Sequence, residues 1–315
     1  MNKLAHISGI AFSLIFGFSF MMSKTALNQI SPIGLLAYRF LIAFGVFEIL
    51  RFSNIIKIKI HKKALFSIVL VAVFQPVLYF LFEVYGLAIT ASGEAGLMIA
   101  LIPIFVTIFS ALILKEKPSK LQLLFITISF CGVILIQFFK TRFAFESSLL
   151  GFSLLLLAVI SASLFNIASR KAAQNHKPHE ITYMMMLIGA LVFNFIYLIE
   201  LALNENIKYY FTNFANLSLM LPIIYLGTIA SILGFFLVNY SLKHLPAHVS
   251  SVYSNIATIV AVIAGALFLN ETVEFYHIFG GFMIITGVYG AARINYLKYR
   301  RNRIDQSNQI LSQTD

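Results

Sequence analysis

The chain has no tryptophan, one cysteine, and few charges: 11% of its 315 residues are Asp, Glu, Lys or Arg. Soluble domains carry roughly a quarter, so this chain cannot clothe itself in water-facing side chains. Its solvent must be lipid. The lone Cys131 excludes an intrachain disulfide and leaves the redox compartment unread. No glycine-rich loop of the P-loop kind occurs, which argues against ATP-driven transport by this chain alone. Acidic residues are scarce, 12 against 23 basic, for a net charge of +11. The basic residues fall between apolar runs rather than on one face, so no nucleic-acid partner is expected. His244 and His248 have the i, i+4 spacing of metal ligands, and His176 lies near His179, but Pro246 and Pro178 interrupt the pairs and no Cys or acidic cluster joins them. Neither a metal nor another cofactor is expected.

What the chain has is apolar length. Hydrophobic residues make up 60%, and the mean hydropathy is +0.89. Crossing a bilayer takes about 20 mostly apolar residues in a helix. Runs free of Asp, Glu, Lys and Arg cover 4–23, 64–82, 95–114, 121–139, 149–169, 181–199, 217–242, 245–270 and 275–292. A tenth, 34–52, holds Arg39, Glu48 and Arg51. The runs do not alternate with period two, so helices are expected and not a β-barrel. The first run exceeds a signal-peptide core and lacks a small-residue cleavage site, so it is expected to stay as a helix.

Lysine and arginine in the short loops orient the spans. With the N-terminus inside, 18 lie on inner segments, among them Arg51, Lys117, Arg170 and the Arg300–Arg301 pair. Only four (Lys24, Lys140, Arg142 and Lys208) lie outside. Both termini are therefore expected in the cytoplasm.

The corner "LILKEKPSK" at Leu112–Lys120 has an echo, "LFLNETVEF", at Leu267–Phe275. An offset of 155 pairs Glu116 with Glu271, Leu112 with Leu267, Tyr85 with Tyr240 and Gly132 with Gly287. A shorter offset, 146, pairs Pro32 with Pro178 and Lys24 with Arg170. Five spans per unit place the second copy upside down, so its corner is external and has shed its lysines. The expected fold is an all-α membrane protein of ten transmembrane helices in two inverted five-helix repeats. The expected division is 1–139 for the first repeat, 140–148 for a linker and 149–296 for the second repeat. A basic, polar, disordered cytoplasmic tail is expected over 297–315. Inverted repeats recur in transporters, with the substrate site at the midplane between them.

Several segments carry a family resemblance. They are "FGFSFMMSKTALNQISP" and then "AYRF", "PIFVTIFSALILKEK", "GVILI" after Gly132, "SLFNIASRKA", and "IVAVIAGALFLNETV" with Gly280, Gly281 and Gly287. The chain resembles the drug/metabolite transporter superfamily, in particular proteins with two EamA domains, from about His6 to Arg293. One departure is Phe16, where the family usually has tryptophan. The resemblance implies a bacterial plasma (inner) membrane protein and not an enzyme. Family members export amino acids, nucleotide-related metabolites and drugs, and sometimes import. Their cavity lies among the first, third, fourth, sixth, eighth and ninth helices.

Candidate site residues follow from polar groups inside spans, which are costly there. Gln75, Tyr79 and Glu83 are spaced i, i+4, i+8, on one helical face beside the helix-breaking Pro76. Ser251, Asn255 and Thr258, with Tyr253 and Ser254, form a second stripe, and Ser163 with Asn166 a third. Substrate contact is expected at Gln75, Tyr79, Asn166, Tyr253 and Asn255, aromatic and amide groups that suit an amino acid or similar zwitterion. Lys24, Arg39, Glu83 and Glu94 fall towards the external halves of the first repeat's helices. They read either as a structural salt-bridge cluster or as a gate, with a coupling proton on Glu83 or Glu94. The small-residue surface of Gly280, Gly281, Gly287 and Gly290 reads as helix packing or a homodimer contact. Expected partners are thus a small-molecule substrate, the lipid bilayer, a coupling proton and a second copy of the chain. Alternatives are drug efflux on the same fold, a membrane-embedded enzyme, or a non-transport membrane protein such as a scaffold or receptor.

Overall fold

The computed structural model describes residues 3–58, 65–89, 98–140, 149–269 and 273–311. Among them every regular element is helical. In chain order they are α1 Lys3–Leu27, α2 Pro32–Phe52, α3 Leu65–Gly86, α4 Ile102–Ile113 and α5 Lys120–Lys140. There follow α6 Leu149–Ala172, α7 Pro178–Leu203, α8 Leu217–His244, α9 Ala247–Phe268 and α10 Phe275–Leu311. A short helix, Lys208–Thr212, lies between α7 and α8. Eight of these helices are long and apolar enough to span a bilayer; α4 and the apolar stretch Lys120–Ile136 of α5 are shorter.

Helix ends follow local chemistry. Ser31 accepts from the Gly34 amide at 3.2 Å, and Pro32 supplies a preset φ at the first turn of α2. Pro178 does the same for α7, where the Glu180 carboxylate accepts from the Lys177 amide at 2.9 Å. The tail from 297, expected to be disordered, instead continues α10 as helix to Leu311. No glycine or proline after Gly290 interrupts it. At 1.5 Å per residue α10 is about 55 Å long, well beyond the ~30 Å hydrocarbon core.

α2 packs on α7, α5 on α10, α3 on α6 and α1 on α9. α8 lies against both α1 and α2, and α4 against both α6 and α9. The centre is aromatic: Tyr38, Phe40, Phe47, Phe165 and Phe193 are fully buried, and the Phe40 and Phe193 rings stack at 5.4 Å. Side chains on α10 divide by face. Phe275, Ile278, Phe282, Ile285 and Tyr289 are exposed along one stripe, which suits lipid, while the opposite face meets α5. There a Cβ on Gly132 would sit 2.6 Å from the Gly280 carbonyl oxygen. Close backbone approach is what small residues allow between membrane helices, so Gly132, Gly280 and Gly287 serve packing. Gly281 differs, with nothing nearer than Ile259 at 4.0 Å.

Candidate substrate and gating site

Two helices depart from regular α-helix. α3 is regular to Ala72, passes through a wide π-type turn at Val73–Leu78, and resumes at Tyr79. Within that turn Gln75 is extended (φ −150°, ψ 119°) and is followed by a cis bond to Pro76. Proline supplies no N–H and its ring clashes with the preceding turn, so an α-helix cannot run through it. α8 widens to a π-helix over Tyr225–Gly234, just after Pro222, without leaving helical backbone. Adding the repeat offset of 155 to 73–78 gives 228–233, inside the second stretch. Wide turns of this type concentrate at functional sites.

Arg39 joins the two stretches. Its side chain leaves α2 only 5% exposed, and its Nε donates to Ser231 Oγ in the π-helical stretch of α8 at 2.7 Å. The guanidinium lies over Phe80 at 5.0 Å and Phe40 at 5.5 Å from the ring centroids. α2 comes this close because residue 227 is glycine: a Cβ there would fall 2.9 Å from the Arg39 carbonyl oxygen. On the α3 side, Tyr79 donates to Glu83 Oε1 at 2.8 Å, one turn past the break. Glu83 is the acid whose charge reaches Arg39, yet Arg39 bonds the serine hydroxyl instead of closing an ion pair. A cation, an acid, a phenol and two rings thus converge where backbone is freed from helical bonding. That arrangement can hold a charged, partly apolar molecule.

The structure revises part of the expected site. Gln75, Tyr79 and Glu83 do not form one continuous helical stripe, because the Pro76 break turns Gln75 into extended backbone. Tyr79 and Glu83 remain paired, and Gln75 is half-buried beside them. Tyr253 and Asn255 lie in a 3-10 turn and leave it towards different neighbours. The Tyr253 hydroxyl meets His6 Nδ1 of α1 at 2.5 Å, while Asn255 Nδ2 donates to Ser129 Oγ of α5 at 2.9 Å. Asn166 Nδ2 turns back to the Ala162 carbonyl of its own helix at 2.8 Å. The Lys24 side chain and Glu94 lie outside the described residues.

One residue, Ser231, and one set of partners, those of Asn239, escaped the sequence reading. Ser231 had one available signal, its place in α8 opposite the Pro76 break. Asn239, fully buried, donates to Thr182 Oγ1 at 3.0 Å and accepts from Ser169 Oγ at 2.5 Å, which ties α6, α7 and α8 together. No pattern in the chain foretold that set of partners.

Lipid-length apolar helices, with the charged Arg39 buried between two irregular helix stretches, define a multi-pass helical membrane protein. The chain belongs to the EamA-like transporter family, whose profile matches residues 3–138 and again 149–293. It is a transporter and not an enzyme. A protein named "Uncharacterized transporter YcxC" from Bacillus subtilis (strain 168) is 38% identical over 287 residues, covering 91% of this chain and 92% of that one. An "Uncharacterized transporter" from Archaeoglobus fulgidus is 25% identical, over 88% of this chain and 94% of its own. A solved crystal structure 15% identical in sequence superposes with a TM-score of 0.76, over 94% of this chain and 99% of the other, which shows the fold alone.

Proposed function

We propose that this protein is a ten-helix secondary transporter or facilitator that exports amino acids or related small metabolites across a bacterial plasma membrane. The observation that carries the reading is the Pro76 break in α3 and the π-helical stretch at the repeat-related place in α8, bridged by Arg39. Helices interrupted by Gly or Pro at corresponding places in two repeats point to a transporter's binding site. Packing supports the inverted repeats. Under a shift of five helices α1–α8 answers α3–α6, α2–α8 answers α3–α7, and α1–α9 answers α4–α6. The pairs α2–α7, α4–α9 and α5–α10 map onto themselves. The lysine and arginine bias places both termini in the cytoplasm.

In this reading the substrate carboxylate binds the Arg39 guanidinium, whose planar fork suits that group. Phe40 and Phe80 receive the apolar part, and Gln75 and Tyr79 supply hydrogen bonds. The two repeats then rock about the site and expose it to each side in turn. Glu83 carries the coupling proton, and Lys24 and Glu94 belong to the external gate.

Uptake of labelled amino acids into proteoliposomes tests this. Saturable counterflow that drops at least tenfold in Arg39→Met is expected, and Glu83→Gln is expected to lose its response to an imposed pH gradient. Wild-type flux indifferent to the gradient removes the proton. Dye efflux without amino-acid flux replaces the substrate class with that of a drug exporter.

A further inference from the structure

One end of the bundle is cross-braced by a polar group that the proposed site does not use. Glu116, just past the end of α4, turns one carboxylate oxygen to Arg170 Nε at 2.9 Å. Its other oxygen accepts the Ala247 amide, at the N-terminus of α9, at 3.0 Å. Arg170, in the last turn of α6, also donates through Nη1 to the Leu242 and Lys243 carbonyls, at 2.9 and 2.8 Å, at the end of α8. One ion pair therefore stitches the ends of four helices. Each charge also sits where it is favoured, the cation at helix C-termini and the carboxylate at an N-terminus.

The layer beneath is polar and buried. Ser110 lies 3.3 Å from His248 Nδ1, Ser241 2.8 Å from Ser250, and Ser169 bonds the buried Asn239. All six side chains are under 4% exposed. This end belongs to the C-terminal half of α8, Phe235–His244, which packs on α6 and α7.

We propose that the Glu116–Arg170 pair is the latch of a gate at this end, holding α8 and α9 against α4 and α6. Transport through the site then requires the pair to open. The inference rests on the reading of a substrate path between the repeats, and on the proposed topology the latch faces the cytoplasm. Both partners are about one-fifth exposed, so water can reach the pair and compete for it. Arg170 alone serves a carboxylate and two carbonyls.

The test uses the full chain with Cys131→Ser and a cysteine introduced by Ser169→Cys, in the buried layer beneath the latch. The readout is the rate of modification by a negatively charged, membrane-impermeant methanethiosulfonate, applied to each face of sealed vesicles. A cysteine at the exposed loop residue Ser53, on the same end of the bundle, reports which face is which. Glu116→Gln and Arg170→Gln are each expected to raise the rate at 169 at least tenfold from the Ser53 face, and Arg170→Lys by less. Ala37→Cys, at a fully buried position on α2, serves as the control and is expected to stay unreactive in every background.

Three results overturn the latch: no increase in either variant, an increase from the opposite face, or an increase at 37 that matches the one at 169. The last would mean general loosening. The test needs no substrate, so it separates the two readings. A chain that passes it but carries no solute loses the transport proposal and keeps the gate.

Discussion

Arg39→Met gives the sharpest test of whether the buried cation binds or merely builds. Removing the guanidinium forfeits one charged hydrogen bond to Ser231, worth about 1.5–3 kcal/mol. It also removes contact with two rings at 5.0 and 5.5 Å, about 0.5–2 kcal/mol at partly desolvated sites. Against this, a charge inside a membrane helix costs about 2.5–3.5 kcal/mol, which methionine does not incur. Methionine also fills the stem's volume. The contributions, about 2–5 kcal/mol lost against about 2.5–3.5 recovered, overlap, so folding is expected to weaken by no more than about 2.5 kcal/mol, a fall of about 5 °C or less in melting temperature in detergent. Substrate binding is expected to fall at least tenfold, since the carboxylate partner is gone. Fluorescence melting and counterflow on the same preparation read both numbers. A melting temperature lowered by 8 °C or more with unchanged flux per folded molecule would refute the reasoning and make Arg39 a structural strut.

Further outcomes follow from packing. Gly280→Val places methyl groups against the Gly132 carbonyl oxygen and Ile136, each within 2.7 Å of the new Cβ. It is expected to cost about 1–3 kcal/mol by overpacking, whereas Gly281→Val, one residue on, is expected to melt as wild type. Equal effects would disprove the packing face. For Asn239→Ala, a double-mutant cycle with Ser169→Ala in reversible detergent unfolding is expected to give a coupling of about 0.6–1.7 kcal/mol, the range for interhelical bonds in membranes; zero coupling would mean the bond adds nothing. Cys131 lies exposed on α5. It is expected to react with an apolar maleimide in membranes and to resist a charged, impermeant one, and rapid reaction with the charged reagent would put that face in water.

Much of this architecture could be read from local composition. Where each helix runs, and that the chain belongs in lipid, depend on apolar length alone, and length is a property of contiguous residues. The break at Pro76 is equally local, since a missing N–H disrupts any helix it enters. The duplication, too, is written in the sequence, where the family profile matches residues 3–138 and again 149–293. Partner choice was another matter. Tyr253 and Asn255 share a stripe in sequence yet part company, one to His6 on α1 and one to Ser129 on α5, because a 3-10 turn rotates their side chains. Glu116 looked like an ordinary corner residue until α6, α8 and α9 brought Arg170 and the Ala247 amide to it across 54 and 131 positions of chain. Apolar length and proline are felt by the nearest turn. Hydrogen bonds between helices depend on rotation and depth, which only the packed bundle sets.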